Sequence, residues 1–300
     1  MPTIISNNLE IAYEEHGSAA DPVLLMVQGL GMSLAGWPPE LIESLVGEGF
    51  RVIIFDNRDV GQSQTLHELR VPNLLAQTLR RKIGMKVKAP YQLLDMMRDV
   101  EGLMDALDIE SAHLVGVSMG GMISQLLAIH APQRVRTLTS IMSTTGARDL
   151  PGPAMAVVRH ILRGPKRSTD EGAVEFQWKL WRMLGGPGYP LSNEELSEFL
   201  RRIFARGMTA FGTVRQMLAI LAAPSRVAEL GKLDVPTLVI HGDADPMIPV
   251  ACGLDTARVI PGARTAIIEG MGHDFPVALT DRLTRLITQH AKTSEMTVTP

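Results

Sequence analysis

The 300 residues are enough for one large α/β domain or two small ones, and a content of 45% hydrophobic and 20% charged residues excludes wholesale disorder. Lys and Arg number 29 and Asp and Glu 32, so the net charge of −3 lacks the basic excess needed to bind a nucleic acid backbone. The single cysteine, Cys252, excludes an intrachain disulfide framework and Cys-rich zinc sites. The chain has no basic, apolar start and no apolar run long enough to span a membrane. We therefore expect a cytoplasmic protein without a nucleic acid or membrane partner.

Short apolar runs alternate with helical patterns along most of the chain, which is typical of βαβ units around a mostly parallel sheet. Six apolar runs predict buried strands, at residues 23–27, 52–55, 112–117, 138–142, 237–240 and 265–268. Residues 11–14 predict an antiparallel edge strand. Helical spacing of apolar residues predicts helices over residues 93–107, 119–129 and 277–287.

The alternation stops between residues 146 and 232, where no strand pattern occurs and several Gly and Pro residues separate helical segments near Ala154, Glu175, Asn193 and Thr213. Ser192 and Glu195 predict a capping box at the start of a helix that we expect to end at Gly207. Strand patterns return after Pro236. We therefore predict a core of residues 1–145 and 233–293, an inserted helical cap of residues 146–232, and a flexible tail of residues 294–300.

A candidate nucleophile lies in the G-x-S-x-G motif formed by residues 116–120, with Ser118 at its centre. A predicted buried strand enters the motif and a predicted helix leaves it, as in a nucleophile elbow. The small neighbours of Ser118 allow the strand and the helix to approach closely around a strained serine. The alternative, a glycine-rich turn with a serine at the helix N-terminus, does not need this context.

A serine hydroxyl needs a base, and His273 follows the last predicted strand in a loop with two glycines. Most other histidines fall within predicted helices or surface loops, where a structural role is favoured. His241 also ends a predicted strand, but it lies close to the candidate acids and fits a supporting role in their loop. Asp243 and Asp245 both follow that strand and could each orient the imidazole. The rival position after the strand at residues 138–142 has no carboxylate until Asp149.

Acyl transfer also requires N–H donors for the oxyanion, and the loop of residues 28–31 follows the first predicted parallel strand. The backbone N–H groups of Leu30 and Met119 are the candidates. Gly29 and Gly31 could also belong to a dinucleotide fingerprint, but Leu34 occupies the position of the third glycine. We therefore expect no nucleotide site and no other cofactor or metal.

Several segments together resemble the α/β-hydrolase fold across nearly the whole chain. They are the chain order Ser118, Asp245 and His273, and the segments Gln28-Gly29-Leu30-Gly31, Asp56-Asn57-Arg58-Asp59-Val60-Gly61-Gln62-Ser63 and Met271-Gly272-His273. The segments Gly36-Trp37-Pro38, Phe55-Asp56-Asn57-Arg58-Asp59 and Val117-Ser118-Met119-Gly120-Gly121-Met122 are most similar to aclacinomycin methylesterase-like and other cap-bearing carboxylesterases. In two departures from the family pattern, Gln28 stands where many relatives have histidine, and Asp59 stands at a usual glycine position.

The resemblance implies an α/β fold with a mostly parallel central sheet, flanking helices and an inserted cap, and it favours Asp245 over Asp243 as the acid. It implies a serine esterase that cleaves a small to medium, moderately hydrophobic carboxylic ester through an acyl-enzyme on Ser118. We expect four side chains near the site loops to contact substrate, namely Trp37, Met122, Met247 and Phe275. The same triad could serve an acyltransferase, a perhydrolase or a C–C bond hydrolase, and a triad-retaining ligand receptor is a further alternative. The sequence does not indicate the oligomeric state.

Overall fold

The computed structural model describes residues 2–164 and 169–296, and eight strands form one sheet through its centre. The strands are β1 (Thr3–Ser6), β2 (Leu9–His16), β3 (Val23–Val27), β4 (Arg51–Phe55), β5 (Ala112–Val117), β6 (Val135–Ile141), β7 (Thr237–Gly242) and β8 (Arg264–Ile268). They lie in the order β1-β2-β4-β3-β5-β6-β7-β8. The pairings of β1 with β2 and of β2 with β4 are antiparallel, and the pairings among β3 to β8 are parallel.

Eleven α-helices occur within the described residues. They are α1 (Pro39–Gly47), α2 (Leu74–Lys82), α3 (Leu93–Ala106), α4 (Met119–His130), α5 (Met155–Arg163), α6 (Asp170–Leu184), α7 (Asn193–Arg206), α8 (Ala210–Ala222), α9 (Val227–Leu230), α10 (Val250–Val259) and α11 (Thr280–Met296). This architecture confirms the predicted fold class, a mostly parallel α/β sheet with flanking helices. None of the described helices is both long and apolar enough to cross a membrane.

Each of the six predicted parallel strands is present, because strands covered on both faces read as continuous apolar runs. The antiparallel strand predicted at residues 11–14 is present, but it is not at the edge of the sheet. It lies within β2, which pairs on both sides, and β1 forms the edge instead. β1 has only four residues, most of them partly or fully exposed, and so it carries no apolar run to detect.

Two helix boundaries also differ from prediction at the carboxyl end of the chain. The predicted helix over 277–287 opens as a 3₁₀ turn at Val277–Leu279, after Pro276, and α11 follows it directly. Helix α11 then continues to Met296, so the backbone of residues 294–296 is helical instead of belonging to a tail. Residues 297–300, the rest of the predicted tail, lie outside the described residues.

Alternate side chains of the sheet enter two cores. Leu25 and Val27 of β3 face α3 and α4, whereas Leu24 and Met26 face α1 and α11. Because both faces are covered, the carboxyl edge of the parallel strands is where loops can expose functional groups.

Helices α5 to α8 follow β6 and precede β7, within the segment predicted as a cap. The predicted capping box is present: Ser192 Oγ accepts a hydrogen bond from the Glu195 N–H at 3.1 Å, and the Glu195 carboxylate accepts one from the Ser192 N–H at 2.7 Å. Helix α7 ends at Arg206, and Gly207 has a φ of 103°, which suits glycine. A small apolar cluster centred on Leu196, Leu200 and Ile203 joins α7 to α6 and the loop after β3.

Candidate active site

Ser118 occupies a sharp turn between β5 and α4. Its φ of 55° and ψ of −117° are strained for a residue with a side chain, and its hydroxyl does not cap the helix. The flanking glycines permit this turn. A Cβ on Gly120 would lie 2.0 Å from the carbonyl oxygen of Val27, and a Cβ on Gly116 would lie 2.4 Å from the carbonyl oxygen of Gly120. The hydroxyl is therefore held above the sheet edge with its hydrogen-bonding capacity free for another group.

The structure brings Ser118, His273 and Asp245 together in one chain of hydrogen bonds. His273 Nε2 lies 3.1 Å from Ser118 Oγ, and His273 Nδ1 lies 2.6 Å from Asp245 Oδ2. The other carboxylate oxygen of Asp245 accepts two backbone N–H bonds, from Met247 and Ile248, each at 2.8 Å. Because a carboxylate only accepts, Nδ1 carries the proton toward Asp245 and Nε2 can receive the serine proton.

The rival acid and base lie elsewhere in the same loops. Asp243 accepts the N–H of Gly270 at 2.7 Å, and so it ties the acid loop to the loop that carries His273. His241 is fully buried, and its Nε2 donates to the carbonyl of Ile248 at 2.7 Å. Burial lowers the pKa of His241, which keeps the ring neutral beside the acid. Both residues support the loops, and neither contacts Ser118.

The loop after β3 abuts the serine. A Cβ on Gly29 would lie 3.3 Å from the Ser118 Cβ. The N–H of Gly29 donates to Gln28 Oε1 and the N–H of Met32 donates to the carbonyl of Gly29. Within the part of the chain that the structure describes, the N–H groups of Leu30 and Met119 donate to no protein acceptor. Two backbone donors next in sequence to Gly29 and Ser118 are thus left without a protein acceptor.

Asp59, the departure from the family glycine, has a φ of 70° and a completely buried carboxylate. It accepts two hydrogen bonds from Arg215 of α8, at 2.8 and 2.6 Å, and others from the Tyr91 hydroxyl and the Leu66 N–H, both at 2.8 Å. Burial alone would raise the pKa of Asp59, but the hydrogen bonds from Arg215 and Leu66 hold this pKa below its usual range. The sequence marked this position as unusual but did not reveal that it binds an arginine of the segment between β6 and β7.

A second buried ion pair involves Asp56, three residues before Asp59 in the same loop. Asp56, also fully buried, pairs with Arg206 at the end of α7 at 2.9 Å and accepts the N–H groups of Leu34 and Gln62. Two aspartates of the loop after β4 therefore bind two arginines of the segment between β6 and β7.

The residues expected to contact substrate take different positions. Trp37 is only 2% exposed and packs on Phe275 with ring centroids 5.3 Å apart. Trp37 also lines a cavity of about 500 Å³ between β2, α1 and α7, which Ser118 and His273 do not line. Met122 is buried, whereas Met247 and Phe275 are half-buried. Contact of these four with substrate stays a prediction.

Asp274 was not singled out from the sequence, although it follows His273 directly. It is 2% exposed, and neither of its carboxylate oxygens has a hydrogen-bond partner within the described residues. Burial raises its pKa to about 7, and the neighbouring His273 only partly opposes this effect.

No group of three or more His, Cys, Asp or Glu side chains placed to hold a metal occurs in residues 2–164 and 169–296.

Comparison with known proteins agrees with this fold. Residues 22–277 match the model of the α/β-hydrolase fold family. Rhodomycin D methylesterase DnrP of Streptomyces peucetius is 32% identical, with 97% of this chain and 99% of that protein covered. A 2-hydroxy-6-oxononadienedioate/2-hydroxy-6-oxononatrienedioate hydrolase of Cupriavidus pinatubonensis is 28% identical, with 86% of this chain and 82% of that protein covered.

Among solved structures, the meta-cleavage product hydrolase of Pseudomonas fluorescens has a TM-score of 0.76 at 18% identity, with 98% of both chains covered, which is a likeness of fold. The resemblance to methylesterases expected from the sequence is confirmed by the similarity to DnrP. The match over 22–277 and the full-length similarity together show that the chain belongs to the α/β-hydrolase fold family.

Proposed function

We propose that the chain is a serine hydrolase that cleaves a small to medium, moderately hydrophobic carboxylic ester through an acyl-enzyme on Ser118. The observation that carries the proposal is the continuous hydrogen-bonded chain from the Ser118 hydroxyl through His273 to Asp245. The N–H groups of Leu30 and Met119, which donate to no protein acceptor within the described residues, are the candidates for the donors that a tetrahedral intermediate requires.

The proposed mechanism has two acyl-transfer steps. His273 Nε2 takes the proton of Ser118 as Oγ attacks the ester carbonyl carbon, and the carbonyl oxygen becomes an oxyanion that accepts from Leu30 and Met119. The intermediate collapses, and His273 gives its proton to the departing alkoxide, which leaves as the alcohol. A water molecule, deprotonated by His273, then attacks the acyl-enzyme, and the acid is released as Ser118 recovers its proton. Asp245 holds the ring in the required tautomer and stabilises the imidazolium.

Methyl esters are the first substrate class to examine. DnrP is a methylesterase, and its similarity extends over nearly the whole chain. A small alcohol group needs little space on the leaving side, so the acyl side of the pocket would set the preference. The half-buried Met247 and Phe275, close in sequence to the acid and the base, are candidates to contact the acyl group.

A second candidate is hydrolysis of a carbon–carbon bond, supported by the 28% identity to the dienedioate hydrolase. Its substrate would be an enol-containing dienoic acid instead of an ester. Assaying both substrate classes under the same conditions separates the two candidates.

Replacement of the nucleophile tests the proposal directly. Ser118→Ala is expected to lower kcat/KM for p-nitrophenyl esters from acetyl to decanoyl, and for methyl esters of the same acids, by at least about 10³-fold. A fluorophosphonate is expected to label Ser118 in the wild-type protein, as read by mass spectrometry of peptides. Ser197→Ala, on the exposed face of α7, is the matched control and should retain wild-type rates.

Equal turnover by Ser118→Ala and wild type would remove Ser118 from the mechanism. Saturable binding of esters by the wild-type protein without any turnover would favour the receptor alternative over the enzyme.

A further inference from the structure

Helix α8 contacts the loop that carries one of the two free backbone donors. Gln216 of this helix is completely buried, and both ends of its amide are used. Its Oε1 accepts the N–H of Gly31 at 2.7 Å, and its Nε2 donates to the carbonyl of Arg58 at 2.8 Å. One side chain from α8 thus joins the loop after β3 to the loop after β4.

The loop after β3 forms a tight turn from Gly29 to Met32, closed by the Met32 N–H donating to the Gly29 carbonyl at 3.2 Å. Leu30 and Gly31 are its central residues, and the φ of 68° at Gly31 is the conformation that glycine adopts at the third position of a type II turn. A turn of this kind can exchange with a type I turn by rotation of its central peptide. The bond from Gly31 N–H to Gln216 stabilises the observed orientation of that peptide.

Thr213, one helical turn before Gln216, closes the other side of the same loop. A Cβ on Gly31 would lie only 2.8 Å from Thr213 Oγ1, so α8 packs against the Gly31 backbone without a gap. At the start of the loop, Asn57 Nδ2 donates to the Gln28 carbonyl at 3.0 Å. The turn is therefore held by the core at one end and by α8 at the other.

The position of α8 is itself fixed. Arg215, next to Gln216, makes the two-pronged contact with Asp59, and the Thr209 hydroxyl donates to the Asp59 carbonyl. Gln216 cannot shift without disturbing these buried contacts, and so it is a rigid support for the turn.

We propose that Gln216 is a positioning residue that sets the turn presenting the Leu30 N–H to the developing oxyanion. This inference rests on the proposed function, since it assigns Leu30 the role of donor. Loss of the Gln216 amide leaves the buried Gly31 N–H without an acceptor, and the turn can satisfy it only by changing its conformation. The Leu30 N–H belongs to the peptide before the one that Gln216 holds, so it is displaced through the shift of the Leu30 backbone that accompanies this change. Such a displacement weakens binding of the transition state more than binding of the ester, because the full negative charge exists only in the tetrahedral state.

The test compares Gln216→Met, similar in length but without hydrogen bonds, with Gln77→Met. Gln77 is also buried, and its Oε1 also accepts one backbone N–H, that of Lys88 at 2.8 Å, but it lies on α2. Kinetics are normalised to active sites counted by fluorophosphonate titration, so that misfolded protein does not contribute. Affinities are measured for an alkyl boronic acid, which forms a tetrahedral adduct on serine, and for the product carboxylic acid.

We expect Gln216→Met to lower kcat by about tenfold or more, with KM changed by less than about threefold. Affinity for the boronic acid should fall by a similar factor to kcat, and affinity for the product acid should be retained. Gln77→Met should leave all four quantities unchanged. Gln216→Asn, one methylene shorter, should change the same quantities in the same direction and serves as the test where the Met variant fails to fold.

A wild-type kcat and boronic acid affinity in both Gln216 variants would overturn the proposal. Equal losses of boronic acid and product acid affinity would also overturn it, because they would indicate general damage to the pocket. Failure of the proposed function is seen separately, as wild-type turnover by Ser118→Ala.

Discussion

Two parts of the segment between β6 and β7 attach to the rest of the molecule in different ways. We call residues 206–216 the base and helices α5 and α6 the roof. The base places Arg206, Arg215 and Gln216 against the core with their polar ends buried and bonded. The roof exposes large apolar side chains such as Met155 at 77% and Leu162 at 61%. The two helices of the roof also contact each other, since His160 of α5 stacks on Phe176 of α6 with ring centroids 4.5 Å apart.

Besides the apolar cluster of α6, α7 and the loop after β3, main-chain contacts at and just after the end of α6 join the roof to the core. The Leu184 carbonyl accepts the N–H of His273 at 2.8 Å, and the Gly188 N–H donates to the Gly270 carbonyl at 2.9 Å. These contacts require glycine, since a Cβ on Gly186 would lie 2.2 Å from the Gly270 carbonyl oxygen and a Cβ on Gly272 would lie 2.2 Å from the Leu184 carbonyl oxygen. A buried ion pair instead requires both of its charged partners. The base is therefore held to the loop after β4 by buried ion pairs, whereas the end of the roof is held to the loop of His273 by close backbone contact.

The largest effect is expected from breaking the base. Arg215→Met leaves the Asp59 carboxylate buried without its cation, and we expect a loss of about 3–5 kcal/mol in the free energy of unfolding, measured by urea titration. The double variant Asp59→Asn, Arg215→Met should recover part of this loss because no unpaired charge remains. Arg201→Met, which breaks an exposed pair with Glu198 on α7, is the control and should leave the urea midpoint unchanged. A loss below about 1 kcal/mol in Arg215→Met would show that the base is no more firmly held than the roof.

A smaller, pH-dependent effect is expected where the roof meets the loop of His273. Asp274 lies near Gly185, and its pKa of about 7 exceeds that of an unfolded aspartate. The folded chain thus binds this proton more tightly than the unfolded chain, and wild-type stability is lost as the pH rises from about 4 through 7. Asp274→Asn removes this loss, so its free energy of unfolding, measured by urea titration, should match that of wild type near pH 4 and exceed it by about 2 kcal/mol at pH 8. A difference that does not change with pH would refute the assignment.

The smallest effect is expected within the roof. Phe176→Leu removes the stacking on His160 but keeps a large apolar side chain, and we expect a loss of about 1 kcal/mol or less in the free energy of unfolding. Val174→Ala, on an exposed position of the same helix, serves as the reference. A loss comparable to that of Arg215→Met would mean that the roof and the base form one cooperative unit.

The parallel strands, and Ser118 and His273 of the candidate site, could be predicted from sequence because each follows a local rule, whereas the choice of Asp245 over Asp243 rested on the family resemblance. A strand buried on both faces is a continuous apolar run, and Ser118, Asp245 and His273 each come soon after such a run. Strand β1 was not predicted because a short, partly exposed strand has no such run.

The supporting residues follow no local rule. Gln216 is one of three polar residues in an otherwise apolar helix, and its partners are backbone groups 185 and 158 residues away in the chain. Asp274 looks like an ordinary polar loop residue until its burial is known. Spacing in a sequence reports which face of an element is apolar, but not which distant backbone atom a side chain will meet.

The ion pairs of the base also bear on how the chain is made. Asp56 and Asp59 are translated 150 and 156 residues before their partners Arg206 and Arg215. At synthesis rates of about 5–20 residues per second, the two carboxylates wait on the order of 10–30 s for these arginines to leave the ribosome. During that interval the first six strands in chain order can be complete, yet the loop after β4 holds two acids that cannot be buried at low cost. We expect this loop to remain open to water until α7 and α8 emerge, so that the site loops acquire their final geometry among the last events of biosynthesis.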